Sequence, residues 1–228
     1  MVELDLAKRA EQYLQALHTV GFDLVAPEDY TLIEPMVRAT GRATQTPMLS
    51  ISRNDFTHGD AFWLFLTLSD GTIVGGCAAR FYNLRGEEFE SYLRRTSQSQ
   101  YDRDRDPILS VAPPVARDIG GRLVYLGELE IHPEYRGRAK VLKSYFRMLQ
   151  ALAAMKWDFD WMYAFVPNDH VKLTDVYGFT WKMPRAITWR EPVPQGRRND
   201  HWMVAISRRH FDHVWSCADY KSLECTRV

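Results

Sequence analysis

The chain has 228 residues, 46% of them hydrophobic, so it can form one large domain around a full apolar core. Lysine plus arginine and aspartate plus glutamate number 29 each, which excludes a global charge that would favour nucleic acid or an anionic membrane as partner. Any anion binding must therefore come from local groups of basic residues.

The first third of the chain predicts two helices and three strands. Apolar residues recur at helical spacing over residues 3–20 and a glycine follows, so we expect an amphipathic helix in an N-terminal extension, residues 1–21. This helix either covers the core or meets a second subunit, which leaves a homodimer open. A strand over residues 22–26, a helix to about residue 40 and a hairpin of residues 61–68 and 72–82 should follow.

Residues 84–121 show no sustained periodicity apart from a short helix near residues 87–95. A stretch of about 35 irregular residues inside a compact domain is usually functional or mobile. We therefore interpret residues 84–121 as an irregular insertion into a single domain spanning residues 22–228, and as a candidate lid over a substrate.

The most informative stretch is residues 123–154. A strand-like run is followed by a turn that contains Arg136 and Arg138, and residues 140–155 predict an amphipathic helix. The first N–H groups of a helix have no internal partners and carry about half a positive charge. Two arginines beside such a terminus predict a site for a phosphate group.

Three segments between residues 129 and 179 resemble those of a known family. Residues 129–139 read Leu-Glu-Ile-His-Pro-Glu-Tyr-Arg-Gly-Arg-Ala, which resembles the acyl-CoA signature of the GNAT superfamily of N-acetyltransferases. Residues 161–168 are similar to the next strand of that family, and residues 170–179, ending in Tyr-Gly-Phe, to its closing helix. The match is close over about residues 120–180 and loose upstream.

The resemblance implies an α/β domain of the α+β type, with helices flanking a mixed, mostly antiparallel sheet that is splayed between the signature strand and residues 161–166. It implies acetyl-CoA, or another acyl-CoA, as co-substrate, and direct transfer of the acyl group to an amine of a small molecule or peptide. The residues implied to hold the donor are Leu129, Ile131, Arg136, Gly137, Arg138, Ala139 and Asn168. For Asn168, an N-cap of the closing helix is the structural alternative.

Glu128 and Glu130 are the candidate general bases. They alternate with aliphatic residues, so both carboxylates should leave one face of the strand. Carboxylates that share a face raise each other's pKa, which suits a base near neutral pH, and the resemblance implies a glutamate of this strand as the base. The alternative is a solvated face whose acids pair with arginines. Thr174 stands where many members carry the tyrosine that protonates the thiolate, and it is the candidate acid despite its weaker acidity.

Two departures from the family pattern leave other functions open. Ala139 and Val141 stand where the phosphate loop of the family has glycines, and a Cβ at both positions is expected to narrow the loop. This favours a longer-chain acyltransferase that uses CoA or an acyl carrier protein, as acyl-homoserine lactone synthases do. The missing tyrosine favours a non-catalytic module that binds acyl-CoA or a partner protein. The sequence predicts no particular acceptor.

The remaining signals concern metals and location. The three cysteines, Cys77, Cys217 and Cys225, lack the spacing of a zinc ribbon or a disulfide framework. Residues 102–106 alternate aspartate with arginine but lack the glycine and the last acid of a calcium loop, so we expect no metal. The first residues are acidic where a signal peptide is basic, and no apolar run approaches the about 18 residues of a membrane span. We therefore expect a cytoplasmic protein.

Overall fold

The computed structural model describes residues 3–101 and 104–217. Cys225 and residues 102–103 lie outside the described residues. Within the described residues there are seven α-helices and nine β-strands. In chain order they are α1 (Glu3–His18), β1 (Phe22–Val25), α2 (Ile33–Ala39), β2 (Ala61–Leu68), β3 (Ile73–Asn83), α3 (Phe89–Gln100), β4 (Ile108–Val111), α4 (Pro113–Asp118), β5 (Arg122–Ile131), α5 (Ala139–Lys156), β6 (Trp161–Val166), α6 (Thr174–Tyr177), β7 (Trp181–Met183), β8 (Ile187–Trp189), β9 (Trp202–Ser207) and α7 (Arg208–Ser216).

Seven strands form one large sheet in the order β1-β2-β3-β5-β6-β9-β7, and β4 pairs with β8 in a small second sheet. Neighbouring strands of the large sheet are antiparallel, except for the parallel pair β5 and β6. The predicted fold class, a mixed, mostly antiparallel sheet with flanking helices and an extra N-terminal helix, is confirmed.

The parallel strands β5 and β6 separate along their length. Their pairing ends where Tyr125 faces Tyr163. Beyond this point β5 continues to Ile131 beside β3, and β6 continues to Val166 beside β9. The two strands therefore diverge and open the sheet between them, where the resemblance implied a splay.

The large sheet separates two apolar cores. The first core lies between the sheet and helices α1, α5 and α7, and the second lies beneath α2, α3, α4 and the small sheet. In α1, Leu6, Ala10 and Leu17 are buried in the first core and α1 packs against α5. Each fully buried leucine contributes about 1.5–3 kcal/mol. The N-terminal helix therefore covers the core of its own chain, the first of the two options predicted for it.

The structure of residues 84–121 differs from the irregular insertion that we predicted. The segment contains α3, β4 and α4, and Phe89, Tyr92 and Leu93 are buried in the second core. The short helix predicted near residues 87–95 is present as α3, but α3 extends to Gln100, and its length was not predicted because its other residues are charged or polar. Arg94, for example, forms ion pairs with two nearby acids, which stabilises a helix whose apolar side is narrow.

The end of the domain is also more broken than predicted. The expected closing helix consists of a 3₁₀ turn, Asn168–Leu173, and the single turn of α6, which ends at Gly178. Residues 181–189 contain two short strands, β7 and β8, which belong to different sheets. Pro184 and Arg185 separate them, because proline has no N–H to donate and Arg185 has a φ of 48°. None of the helices described combines the length and apolar character needed to cross a membrane.

Candidate active site

A β-bulge in β5 determines where the two candidate glutamates point. The register shifts by one residue between the pairs Ala78–Gly127 and Gly76–Glu130. Glu128 lies at this shift and has a φ of 61°, in the left-handed region that non-glycine residues rarely adopt. Because side chains alternate between the two faces of a strand, one extra residue moves every following side chain to the opposite face of the sheet.

The bulge directs the carboxylates to the second core. Glu128 borders Trp63 and Phe65 of that core, whereas Ile131 is buried in the first core and Leu129 packs against it. Without the extra residue that the bulge inserts into β5, the glutamates would point towards α1 and α5. The prediction that both carboxylates share a face therefore agrees with the structure, but the bulge, and not the alternation, selects that face.

Glu128 is almost fully buried, with 6% of its surface exposed. Its Oε1 accepts a hydrogen bond of 2.7 Å from the backbone N–H of Thr46. Its Oε2 lies 3.1 Å from Nε of Arg42 but has no hydrogen-bond partner among the described residues, because that N–H donates to the carbonyl of Thr44. Arg42 therefore compensates the buried carboxylate mainly through its charge.

Glu130 is more accessible than Glu128, with 27% of its side chain exposed. Its Oε1 accepts a hydrogen bond from Nη2 of Arg136, and its Oε2 lies 4.0 Å from Nη1 of Arg42. One guanidinium, that of Arg42, thus faces both carboxylates. The pairing of these acids with arginines, which we gave as the structural alternative, is present in the fold.

Arg42 and Thr46 belong to residues 41–53, to which the sequence analysis assigned no role. The segment begins at Gly41, whose φ of 87° lets the chain turn away after α2. The side chain of Asn54 donates to two carbonyls of the segment and fixes its shape. A polar run without periodicity directly after a helix-ending glycine was the available signal for a binding loop.

A cavity of about 660 Å³ adjoins this segment. Its wall comprises α2, residues 41–53, Tyr101 and the turn at residues 195–196. Arg42 and Thr46 line the cavity and also contact Glu128, so they connect the cavity with the buried carboxylate. A space of this size is typical of small-molecule sites. Within residues 3–101 and 104–217, no three histidine, cysteine or acidic side chains are grouped so that they could hold a metal ion.

The N-terminus of α5 lies on the opposite side of the sheet. The first bond of the helix runs from the N–H of Leu142 to the carbonyl of Arg138, at 3.0 Å, and no described side chain caps the turn. The N–H groups of residues 139–141 are therefore without a partner inside the helix. Gly137 has a φ of 80°, and a Cβ on it would meet nothing within 4 Å, so the space before the helix is open.

The two residues that replace loop glycines behave differently. Val141 is 4% exposed and belongs to the first core, so its side chain points away from the loop. Ala139 is exposed at the first position of the helix. The expectation that both side chains narrow the loop is therefore wrong for Val141, because the third residue of α5 faces the sheet.

The two arginines of the turn are held by the protein itself. Arg136 donates from Nε to the carbonyl of Ile131 at 2.7 Å. The guanidinium of Arg138 lies 5.7 Å from the ring centre of Phe22 and 5.9 Å from that of Tyr135. Both arginines remain exposed beside the start of α5, and both add positive charge there.

Asn168 and Thr174 follow β6 and make local contacts. Oδ1 of Asn168 accepts a 2.8 Å hydrogen bond from the indole of Trp202, and Pro167 occupies the N-cap position, so the N-cap interpretation of Asn168 is wrong. Thr174 is completely buried and its hydroxyl donates to the carbonyl of Val171 at 2.6 Å. Among the described contacts, none brings Thr174 to the two glutamates.

A buried histidine, His201, makes stability depend on pH. Burial, followed by the charge of Arg197, lowers the pKa of His201 from 6.5 to about 4. Arg198 also opposes its protonation, whereas Asp200 and Asp169 favour it. The unfolded chain therefore binds this proton at higher pH than the folded chain, and stability should fall as the pH falls from 6.5 towards 4.

We expect His201→Gln to make the loss of stability between pH 6.5 and pH 4 less steep. Urea unfolding of both proteins across the same pH range measures it, and equal slopes for the two proteins would contradict the assignment. Acidic side chains whose lowered pKa does not involve His201, such as Asp160, contribute equally to both curves at the lower end of the range.

No family model matches the chain. No curated protein matches it either. Among solved structures, it is similar to FeeM, an N-acyl amino acid synthase from uncultured soil microbes, with 13% identity over 87% of this chain and 97% of that one and a TM-score of 0.46.

It is also similar to NAA60 of Arabidopsis thaliana in complex with acetyl-CoA, with 13% identity over 82% of this chain and 98% of that one and a TM-score of 0.45. An acetyltransferase from Streptococcus agalactiae has 13% identity over 82% of this chain and 98% of that one, with a TM-score of 0.43. These values describe a similarity in the path of the chain.

Proposed function

We propose that the chain is an N-acyltransferase of the GNAT type that moves an acetyl group from acetyl-CoA to an amine by direct attack. The main support is the divergence of β5 and β6, together with the features on each side of it. An open helix terminus lies on one face of the sheet, and a buried carboxylate beside a cavity lies on the other. A donor with a phosphate end and a thioester end fits this arrangement, because the opening joins the two faces.

The donor side consists of the start of α5 and the part of β5 that follows its last pair with β6. The N–H groups of residues 139–141 and the dipole of an 18-residue helix favour a pyrophosphate, with Arg136 and Arg138 nearby. Gly137 leaves room for the close approach of the phosphates. Leu129 and Ile131 lie beyond the last pair with β6, where backbone groups on that side can bond the amide-rich arm of CoA.

The acceptor side consists of Glu128, Glu130 and the cavity. Glu128, directly or through water, takes a proton from the amine, whose nitrogen then forms a bond to the thioester carbon. Backbone N–H groups of β5 beyond Tyr125 stabilise the oxyanion, the carbon–sulfur bond breaks, and the thiolate leaves. We assign its protonation to solvent, because the hydroxyl of Thr174 donates to a carbonyl.

Calorimetric titration with acetyl-CoA tests the donor site, with octanoyl-CoA as comparison. We expect acetyl-CoA to bind with a Kd of about 1–100 μM, equivalent to about 5–8 kcal/mol. Arg138→Gln should weaken binding about tenfold, because it removes a charge beside the phosphate position. Arg117→Gln is the matched control, since Arg117 is exposed on α4 and pairs with Asp118.

The other outcomes separate the alternatives. Selective binding of octanoyl-CoA would replace the acetyltransferase by a longer-chain enzyme, and binding of acetyl-CoA without transfer to a broad panel of amines would leave a non-catalytic module. Binding of neither thioester would overturn the CoA donor and leave an acyl carrier protein to be tried.

A further inference from the structure

The wall of the cavity carries more positive than negative charge. Among the described residues, Arg38 and Arg42 line it, together with one acid, Glu34. Arg38 and Glu34 are 3.9 Å apart and both exposed, so their attraction is weak and Arg38 can also bind an anion in the cavity. A polar cavity with this balance favours a ligand that carries an anionic group.

Arg42 occupies the place where an amine would meet the two glutamates. Its guanidinium lies 3.1 Å from Oε2 of Glu128 and 4.0 Å from Oε2 of Glu130. Oε2 of Glu128 also lacks a hydrogen-bond partner among the described residues. An amine that binds this oxygen must replace Arg42 as the cation beside Glu128, because a buried carboxylate without a cation is strongly unfavourable.

Once displaced, Arg42 needs an anion of its own. A simple amine would compensate Glu128 but leave Arg42 with only Glu130, which lies 4.0 Å away and already binds Arg136. A simple carboxylate would bind Arg42 but leave Glu128 without a cation. A zwitterion satisfies both groups in one binding step, since its ammonium replaces the guanidinium at Glu128 while its anion binds Arg42 at the cavity wall. One ion pair within the protein is thereby exchanged for two between protein and ligand.

We propose that the acceptor is an amino acid, or a similar small zwitterion, whose carboxylate binds Arg42 and Arg38 in the cavity and whose amine lies at Glu128. The volume of about 660 Å³ accommodates an amino acid together with its side chain. The reaction part of this inference rests on the proposed function, whereas the binding part rests on the cavity and its charges alone.

Binding is measured without any acyl donor, by calorimetric titration of the full chain with each standard amino acid. The tightest is then compared with its methyl ester, which lacks the negative charge, and its N-acetyl form, which lacks the positive charge. We expect each derivative to bind about tenfold more weakly or worse, as for the loss of one charge-assisted hydrogen bond. An ester that binds as well as the amino acid would overturn the inference, as would the failure of every amino acid to bind.

Two variants locate the site. Arg42→Gln should remove the preference for the amino acid over its ester, but it leaves Glu128 without its cation and can lower stability. Arg38→Gln avoids this problem, because Arg38 lines the cavity and its ion pair is with Glu34. We expect Arg38→Gln to weaken amino acid binding about threefold to tenfold, and to leave ester binding unchanged. Arg117→Gln should change neither.

Transfer assays separate the two proposals. Binding of amino acids in this pattern without acyl transfer would leave the ligand site standing and remove the proposed reaction. Acylation of simple amines by a protein that binds no amino acid would leave the transferase standing and overturn the zwitterion.

Discussion

Glu128→Gln should lower the rate of acyl transfer by about 100-fold or more, the range for loss of a general base. Glutamine keeps the size of the side chain and can still accept the hydrogen bond from the Thr46 N–H, but it cannot take a proton from the amine. Initial rates of thiol release at saturating acetyl-CoA measure the loss. Unchanged calorimetric binding of acetyl-CoA would show that the donor side is intact.

Glu130→Gln is the matched control for this experiment. Glu130 lies on the same face and near the same arginine, but it is more exposed than Glu128. We expect its replacement to lower the rate by less than about tenfold, as for a neighbouring charge and not for the base. A larger loss in Glu130→Gln than in Glu128→Gln would move the assignment of the base to Glu130.

Gly178→Ala should destabilise the protein by about 3 kcal/mol. Gly178 has a φ of 76°, and the left-handed region costs an alanine about 1–2 kcal/mol. A Cβ would also lie 2.1 Å from Nη2 of Arg147, which is 8% exposed and held to Gln150. Overpacking in a buried region adds about 1–3 kcal/mol. For a chain of this size we expect the Tm to fall by about 6–12 °C.

Gly71→Ala separates the two contributions. Gly71 has a similar φ of 85°, but a Cβ there would meet nothing within 4 Å. Its replacement should therefore show the backbone contribution alone, about 1–2 kcal/mol. Equal losses of stability in the two variants, measured by urea unfolding, would rule out the overlap with Arg147.

The region from β5 to α5 could be predicted from the sequence because its pattern is local. Apolar alternation, an arginine-rich turn and helical spacing follow one another over residues 123–154, and each element is determined by neighbouring residues. The bulge could not be predicted in this way. It depends on β3, where Gly75 and Gly76 allow β5 to approach closely: a Cβ on Gly75 would lie 2.9 Å from the carbonyl oxygen of Glu130.

The partners of the candidate base were beyond prediction for a different reason. Thr46 is 82 positions from Glu128 in the chain, and its segment has no periodicity that would place it in the fold. The pair of glycines on β3 was visible in the sequence, and glycines inside a strand often mark a bulge or a close approach of backbones. The contact with Arg42 had no comparable signal.

The bulge in β5 makes the face that carries Glu128 and Glu130 sensitive to the length of the strand. Deleting a single residue near Glu128 would leave the amino-acid composition of the strand almost unchanged. The carboxylates would nevertheless turn towards α1 and α5, and the aliphatic side chains of Leu129 and Ile131 would turn towards the cavity. An alignment that treats such a gap as a minor difference would therefore pair a chain whose sheet presents carboxylates towards the cavity with one whose sheet presents aliphatic side chains there.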